Sequence, residues 1–257
     1  MLSNPYAVLV GFYETVGMHN FAREITPRLI DYLQQQDWVG RRVLDLGCGT
    51  GASIRWLANR GYATTGVDTS REMVEAARRS LATSGLSLTW EQTDIRTLDA
   101  HIDNADLVIA FDVLNELASL RDLEQTFASV LKVIEPGKLL AFDMHTIQGL
   151  TERGRRADHV TYDDGLLTLI ESHDYDPDRQ VLHVRYRIFQ REIEDEVWRR
   201  AETRRTLRGY PVQAIITLLQ RTGYDVLQPL TLDFAPLDVG VTSADRVLFL
   251  ARRPTGR

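Results

Sequence analysis

Residues 43–51 read Val-Leu-Asp-Leu-Gly-Cys-Gly-Thr-Gly, an apolar run that enters a tight glycine turn, and a second apolar run ends Gly-Val-Asp at Asp68. A buried strand that feeds a glycine loop, followed by an acid at the end of the next strand, is the arrangement in which a nucleotide-type ligand lies against backbone. Gly47, Gly49 and Gly51 lack side chains where such a ligand has to approach the chain. Asp68 stands where a carboxylate can accept hydrogen bonds from ribose hydroxyls; the other reading is a cap on the helix that begins near Ser70. Cys48, the single cysteine, reads as a small residue that fits the turn, since thiol chemistry also requires a basic partner.

Working outward, Phe21, Ile25, Leu29 and Leu33 recur at helical spacing over residues 19–35 and predict a helix packed on the sheet. The first strand is predicted at Arg42 to Leu46 and the second at Ala63 to Val67, with a helix through Ile54, Trp56 and Leu57 between them. Thr69-Ser70-Arg71-Glu72 caps a further helix whose inner face carries Met73, Ala76, Ala77 and Leu81. Leu86 to Glu91 gives a third strand, Asp106 to Phe111 a fourth and Leu139 to Phe142 a fifth, with a helix through Leu123, Phe127, Val130, Leu131 and Ile134 before the last. Apolar runs alternating with helices argue for an α/β chain with a parallel sheet covered on both faces.

After Thr146 the pattern changes. Residues 160–175, 180–193 and 196–208 read as antiparallel strands, because Leu182, Val184, Tyr186 and Ile188 alternate with His183, Arg185 and Arg187. Helical spacing returns at Val212, Ile215, Ile216 and Leu219 and stops at Gly223. Two strands, Val226 to Leu232 and Arg246 to Ala251, close the chain. The expected organisation is therefore an N-terminal segment 1–39, a main domain formed by 40–146 and 209–257, and an antiparallel sheet insertion at 147–208.

A length of 257 residues, 44% hydrophobic and 26% charged, suits one α/β domain with an elaboration. No run approaches the roughly 18 apolar residues of a membrane helix, and the N-terminus lacks a signal-peptide pattern, so a cytoplasmic protein is expected. The formal net charge of −6 makes nucleic acid an unexpected partner. No close set of His, Asp and Glu has metal-ligand spacing, and no metal is proposed. A homodimer is left open.

Two cofactor classes use a strand, glycine loop and helix in this way. Residues 47–52 satisfy the dinucleotide pattern loosely, with Ala52 in its last position. Three features point elsewhere. Asp45 precedes the loop, and an acid there would repel a pyrophosphate but suits a ligand carrying an ammonium and a sulfonium. The third strand is followed by Thr93-Asp94-Ile95, an acid placed to accept from an adenine amino group. The fourth strand ends Ala110-Phe111-Asp112-Val113-Leu114-Asn115-Glu116, a polar and aromatic cluster at the carboxyl edge of the sheet.

Across about residues 40–146 and 209–252 the chain resembles the class I S-adenosylmethionine-dependent methyltransferases, with Val43–Gly51, Asp68, Asp94 and Phe111–Asn115 at the family's motif positions in the usual order. The resemblance implies a Rossmann-like seven-stranded sheet, mostly parallel with a reversed last strand and helices on both faces. It implies S-adenosyl-L-methionine at the carboxyl ends of the first strands. Gly47, Cys48 and Gly49 would meet the methionyl part, Asp68 and Thr69 the ribose, Met73 and Ile95 the faces of the adenine, and Asp94 its amino group. Phe111, Asp112 and Asn115 would stand near the methionyl amine. Met73 and Ile95 are equally readable as core, and Asp112 and Asn115 as cap residues.

The insertion resembles the substrate-covering sheet of a small-molecule subgroup that includes sugar N-methyltransferases. Asn4-Pro5-Tyr6 and Phe12-Tyr13-Glu14 are similar to its tyrosine-bearing lid, although that subgroup commonly has Tyr-Asp where this chain has Tyr6-Ala7 and Tyr13-Glu14. Tyr13 is then expected to line the methyl-transfer channel and Tyr6 to touch the acceptor. His145, just past the fifth strand, is the candidate general base. His173, Arg185 and Arg187 are candidate acceptor contacts from the insertion. The expected activity is methyl transfer to a nitrogen or oxygen of a small molecule. An NAD-dependent oxidoreductase, a methyltransferase acting on protein or RNA, and a noncatalytic cofactor-binding subunit are the alternatives.

Overall fold

The structure, a computed structural model, describes residues 4–82, 88–99, 102, 104–192, 197–240 and 243–256. The helices are α1 (Pro5–Leu9), α2 (Asn20–Gln35), α3 (Ala52–Ala58), α4 (Arg71–Leu81), α5 (Leu120–Val133), α6 (Ile147–Gly154) and α7 (Val212–Thr222). The strands are β1 (Arg42–Leu46), β2 (Ala63–Asp68), β3 (Leu88–Gln92), β4 (Ala105–Ala110), β5 (Ile134–His145), β6 (His159–Asp163), β7 (Leu167–Asp176), β8 (Val181–Arg191), β9 (Trp198–Arg208), β10 (Asp225–Val226) and β11 (Arg246–Arg252).

Seven strands form one sheet in the order β10-β11-β5-β4-β1-β2-β3. β1 runs parallel to both β2 and β4, so the chain order reverses there, and β11 returns antiparallel to β5. The central strands are apolar throughout because both faces are covered: every residue of β4 is buried. One face packs Phe127, Phe142 and Phe249 with α5 and α7; the other packs Leu29, Leu33 and Leu57 from α2 and α3. In such a sheet the ends of β1 and β4 splay apart at the reversal and leave a crevice. Local signals set the helix starts: the Ser70 hydroxyl accepts from the Met73 amide at 3.3 Å, and Ser119 accepts from Asp122 at 3.1 Å.

The second sheet is antiparallel, β6-β7-β8-β9. Its inner face, Leu169, Leu182, Val184, Tyr186, Ile188 and Leu207, is closed by Leu9 and Leu150 and by Tyr6, Phe12 and Tyr13 of the N-terminal segment. Among the described residues no helix is long and apolar enough to cross a membrane.

Four boundaries differ from the sequence reading. Residues 160–175 are two strands, because Gly165 at φ +83° turns the chain and Asp164 accepts from the amides of Leu166 and Leu167. The predicted strand Val226 to Leu232 stops at Val226; Pro229 has no N–H for the ladder, and Leu230 rejoins only through isolated bridges to Leu248 and Pro236. β5 outruns its predicted four residues because β11 pairs with it from Leu139 to His145. α6, capped by Thr146 accepting from Gly149 at 3.0 Å, was not anticipated. Leu86, Ile193 and Glu196, at which predicted strands begin or end, lie outside the described residues.

Candidate functional site

The crevice begins at the glycine loop. Gly47 and Gly49 take φ of +66° and +54°, a region that disfavours side chains. A Cβ on Gly47 would stand 2.4 Å from a Val113 methyl. The Cys48 amide donates to the Val67 carbonyl at 3.0 Å, which ties the loop to β2. Asp68 completes the connection: it accepts from the Gly49 amide at 3.0 Å and from the Ser70 amide at 2.8 Å. Burial pushes its carboxyl up, and the two amides pull the other way. Asp68 thus serves as a loop anchor as well as a polar wall, so capping and ligand contact are compatible in one side chain.

Beyond the loop lies a cavity of about 320 Å³, within the range of small-molecule sites. Gly47, Gly49, Asp68 and Thr69 form one side of it, and Met73, Asp94 and Ile95 another. Phe111 and Asp112 stand at the end of β4, with Tyr6 and Tyr13 above. Eleven of the sequence-selected residues therefore meet around one space. Asp94 is held by Arg96, whose Nε lies 3.0 and 3.1 Å from its two oxygens, and this pairing keeps its carboxyl below the ordinary range. A carboxylate so held keeps lone pairs for a further donor.

The residues fit the cofactor that the resemblance implies. The loop offers backbone to a close ligand, Asp68 lines the cavity with a carboxylate that has lone pairs for further donors, and apolar Met73 and Ile95 line the same side as Asp94. Four acids line the cavity (Asp68, Asp94, Asp112 and Glu116) against one arginine, Arg96. That balance suits a cationic ligand and opposes linked phosphates.

The upper wall is an ion-pair cluster. Asp112, in a left-handed conformation at φ +59°, receives Arg205 Nη2 at 3.1 Å on one oxygen and Arg246 Nη2 at 3.1 Å on the other. His145 Nε2 lies 3.7 Å away. These cations outweigh burial and hold the Asp112 carboxyl well below the usual range. Arg205 also reaches Glu116 at 2.6 Å, and the Tyr6 hydroxyl donates to the same Glu116 oxygen. Arg246 is bonded to Asp143 and lies 3.4 Å over the Phe21 ring. Tyr13 covers the loop, its ring 3.7 Å from where a Gly49 Cβ would be. Burial raises the phenols of Tyr6 and Tyr13, so both stay protonated donors.

Several expectations are corrected. His145 is not among the cavity's lining residues; its ring is turned to Asp112. Asn115 is a buried latch, with its amide nitrogen donating to the carbonyls of His145 and Arg208 and its oxygen accepting from the His145 amide. His173 sits inside the insertion against Glu171 at 3.3 Å, away from the cavity. Arg185 and Arg187 point to the outer face of the second sheet, opposite Val184 and Tyr186, and pair with Glu202 and Asp158. Asp45 and Cys48 do not line the main cavity but border a smaller recess beside it, and burial raises both.

Glu116, Arg205 and Arg246 were not selected from sequence as site residues, although Glu116 ends the polar cluster after the fourth strand and Arg205 was weighed with Arg185, Arg187, Arg200 and Arg204 as a contact for an anionic acceptor before the interleaved acids favoured a salt-bridged surface. Strand parity carried a further hint: Arg205 falls opposite Val184 in the ladder, on the inner face.

Residues 43–137 match a family of methyltransferase domains. The chain is 29% identical over 215 residues to the Bacillus subtilis (strain 168) protein YqeM, whose name assigns it provisionally to the methyltransferases, across 82% of this chain and 84% of that one. A solved S-adenosylmethionine-dependent methyltransferase from Clostridium acetobutylicum ATCC 824 superposes with a TM-score of 0.82 at 21% identity, covering 98% of this chain and 100% of its own. The sugar N-methyltransferase KedS8 from Streptoalloteichus sp ATCC 53650 superposes with a TM-score of 0.70 at 18% identity, covering 99% and 95%. At such identities the superpositions speak for the fold.

Proposed function

We propose that the chain is a class I S-adenosylmethionine-dependent methyltransferase and that it methylates a nitrogen or oxygen of a small molecule held between the glycine loop and the Tyr6–Glu116 corner. The observation that supports this reading is the acid-lined cavity of about 320 Å³ roofed by Tyr6 and Tyr13, which the N-terminal segment and the second sheet close from above.

When bound, the cofactor supplies an activated methyl on a sulfonium whose departure leaves a neutral thioether. In this reading the protein's work is orientation and exclusion of water. Gly47, Gly49, Asp68 and Asp94 grip the adenosyl end, with Met73 and Ile95 against its base, and Tyr13 closes over the loop. At the acceptor end, the Tyr6 hydroxyl and both Nε and Nη2 of Arg205 donate to Glu116 Oε1. Glu116 Oε2 is thereby left for an acceptor N–H or O–H, and this carboxylate replaces His145 as the group placed to orient, and for a hydroxyl to relieve, the nucleophile's proton.

The test is a pair of measurements. S-adenosylhomocysteine should raise the melting temperature while NADH should not. With methyl-labelled cofactor and a cell extract, label should enter the small-molecule fraction. Label confined to protein or RNA would overturn the small-acceptor reading.

A further inference from the structure

At the opposite edge of the main sheet, where β1 and β2 begin, lies a second cavity of about 350 Å³, again within the range of small-molecule sites. It shares no lining residue with the cavity beneath Tyr13. Local structure builds its aromatic wall. α2 closes with Asp37 in a left-handed conformation at φ +58°, and the Trp38 amide donates to the Leu33 carbonyl at 3.0 Å, which turns the chain back along the helix. Gly40 makes room for the indole: a Cβ there would stand 2.4 Å from Trp38 Cζ2 and 2.7 Å from Asp106 Cβ. The indole lies beside Tyr62, the two rings 21° from parallel with centroids 6.4 Å apart. α3 contributes Trp56, over whose ring Arg60 lies with its guanidinium carbon 3.8 Å from the centroid.

Hydrogen bonding and charge define what suits this space. Trp38 Nε1 is a buried donor without a partner. The Tyr62 hydroxyl accepts from Gln34 Nε2 at 3.3 Å, which leaves its own proton to donate. Arg41 and Arg60 line the cavity against one acid, Asp31, and among the described residues neither guanidinium has a carboxylate partner. The main cavity has the reverse balance, four acids against one arginine, so the two spaces favour ligands of opposite charge. Flat aromatic walls, an excess of donors and unpaired guanidinium groups together fit a planar anion. An aromatic carboxylate supplies a ring for the tryptophans and two oxygens in the geometry of a guanidinium fork.

We propose that this cavity is a second small-molecule site, one that binds an aromatic carboxylate by stacking its ring against Trp38 and Trp56 and pairing its oxygens with Arg41 and Arg60. The site stands apart from methyl transfer and does not depend on the cofactor reading.

Calorimetric titration of the full chain tests the proposal with three probes of one size: 2-naphthoate, its neutral amide, and the saturated acid decahydro-2-naphthoate. Wild-type protein should bind 2-naphthoate and hold each of the other two about fivefold or more weaker, the scale of one exposed charge pair or one ring contact. Arg60→Met should bring 2-naphthoate down to the level of the amide while leaving the amide within about twofold of wild type, and Arg41→Met should act in the same direction. Both arginines are exposed, so these variants keep the fold. Trp56→Leu should weaken acid and amide alike. Saturating S-adenosylhomocysteine should leave 2-naphthoate affinity unchanged. Failure of wild type to bind 2-naphthoate, equal affinity for acid and amide, or unchanged 2-naphthoate affinity in Arg60→Met would each overturn the proposal. Competition with S-adenosylhomocysteine would overturn it too, by moving the ligand into the main cavity.

Discussion

The floor and the roof of the cavity are built on opposite principles. On the floor, Gly47, Gly49, Asp68 and Asp94 each sit at or just beyond the end of a parallel strand of the main sheet, and Asp68 is satisfied by backbone amides of its own loops. In the roof, Tyr6, Glu116, Arg205 and Arg246 come from a helix, a turn, the second sheet and the last strand, and Asp112 is satisfied by charged side chains from distant elements. The two aspartates accordingly shift in opposite directions, Asp68 upward by burial and Asp112 downward by its cations. Backbone amides hold a ligand-facing carboxylate without locking distant parts of the chain together. Ion pairs lock the roof to the sheet.

If that division of labour is right, binding and stability should separate on mutation. Asp68→Ala should give the largest effect, a loss of S-adenosylhomocysteine affinity of more than about 100-fold by calorimetry, since two ribose hydroxyls lose a charged acceptor. Its stability should fall only about 1–2 kcal/mol, because two amide contacts are lost while a buried charge is relieved. Arg205→Met should invert the pattern. Removing one partner of a buried cluster costs about 3 kcal/mol, near 6–12 °C in melting temperature for a chain of this size, while cofactor affinity should stay within about fivefold by the same titration. An Asp68→Ala protein that binds normally, or an Arg205→Met protein that melts normally, would break the comparison.

Acid titration sharpens it. A depressed folded-state pKa contributes stability that is present above the unfolded value, about 3.9, and is lost as pH falls through the folded value. Arg205 causes part of the depression of Asp112, so the stability gap between wild type and Arg205→Met in denaturant melts should narrow below about pH 4. A gap that holds constant into acid would mean that Arg205 acts by packing alone.

Tyr13→Ala should weaken S-adenosylhomocysteine about tenfold, equivalent to ~1.4 kcal/mol, by uncovering the loop. Arg185→Ala should do least: its pairing with Glu202 is exposed, and a melt should register no more than about 0.5 kcal/mol.

The floor was legible in the sequence because each of its parts is encoded within a few residues. A glycine loop needs only glycines after an apolar run, and Asp68 and Asp94 need only to follow strands. The roof was not, because alternation along β8 identified an apolar and a charged face without saying which arginines of β9 would share the apolar side. Arg185 and Arg187 were consequently selected, and Arg205 was set aside as part of a salt-bridged surface. His145 was placed near the right strand end, but its ring direction depends on Asp112, whose own orientation is set by Arg205 and Arg246. Asn115 was expected near the methionyl amine; its buried amide instead closes a backbone junction between β5 and β9.

By itself the amino-acid order determined the alternation of strands and helices, the glycine loop and the acids beside it, since these depend on backbone conformation and on periodic burial, which neighbouring residues decide. Only the tertiary structure decided which charges are drawn inside. A buried arginine is tolerable only where carboxylates from remote segments meet it, and that meeting is a property of packed elements rather than of any one segment.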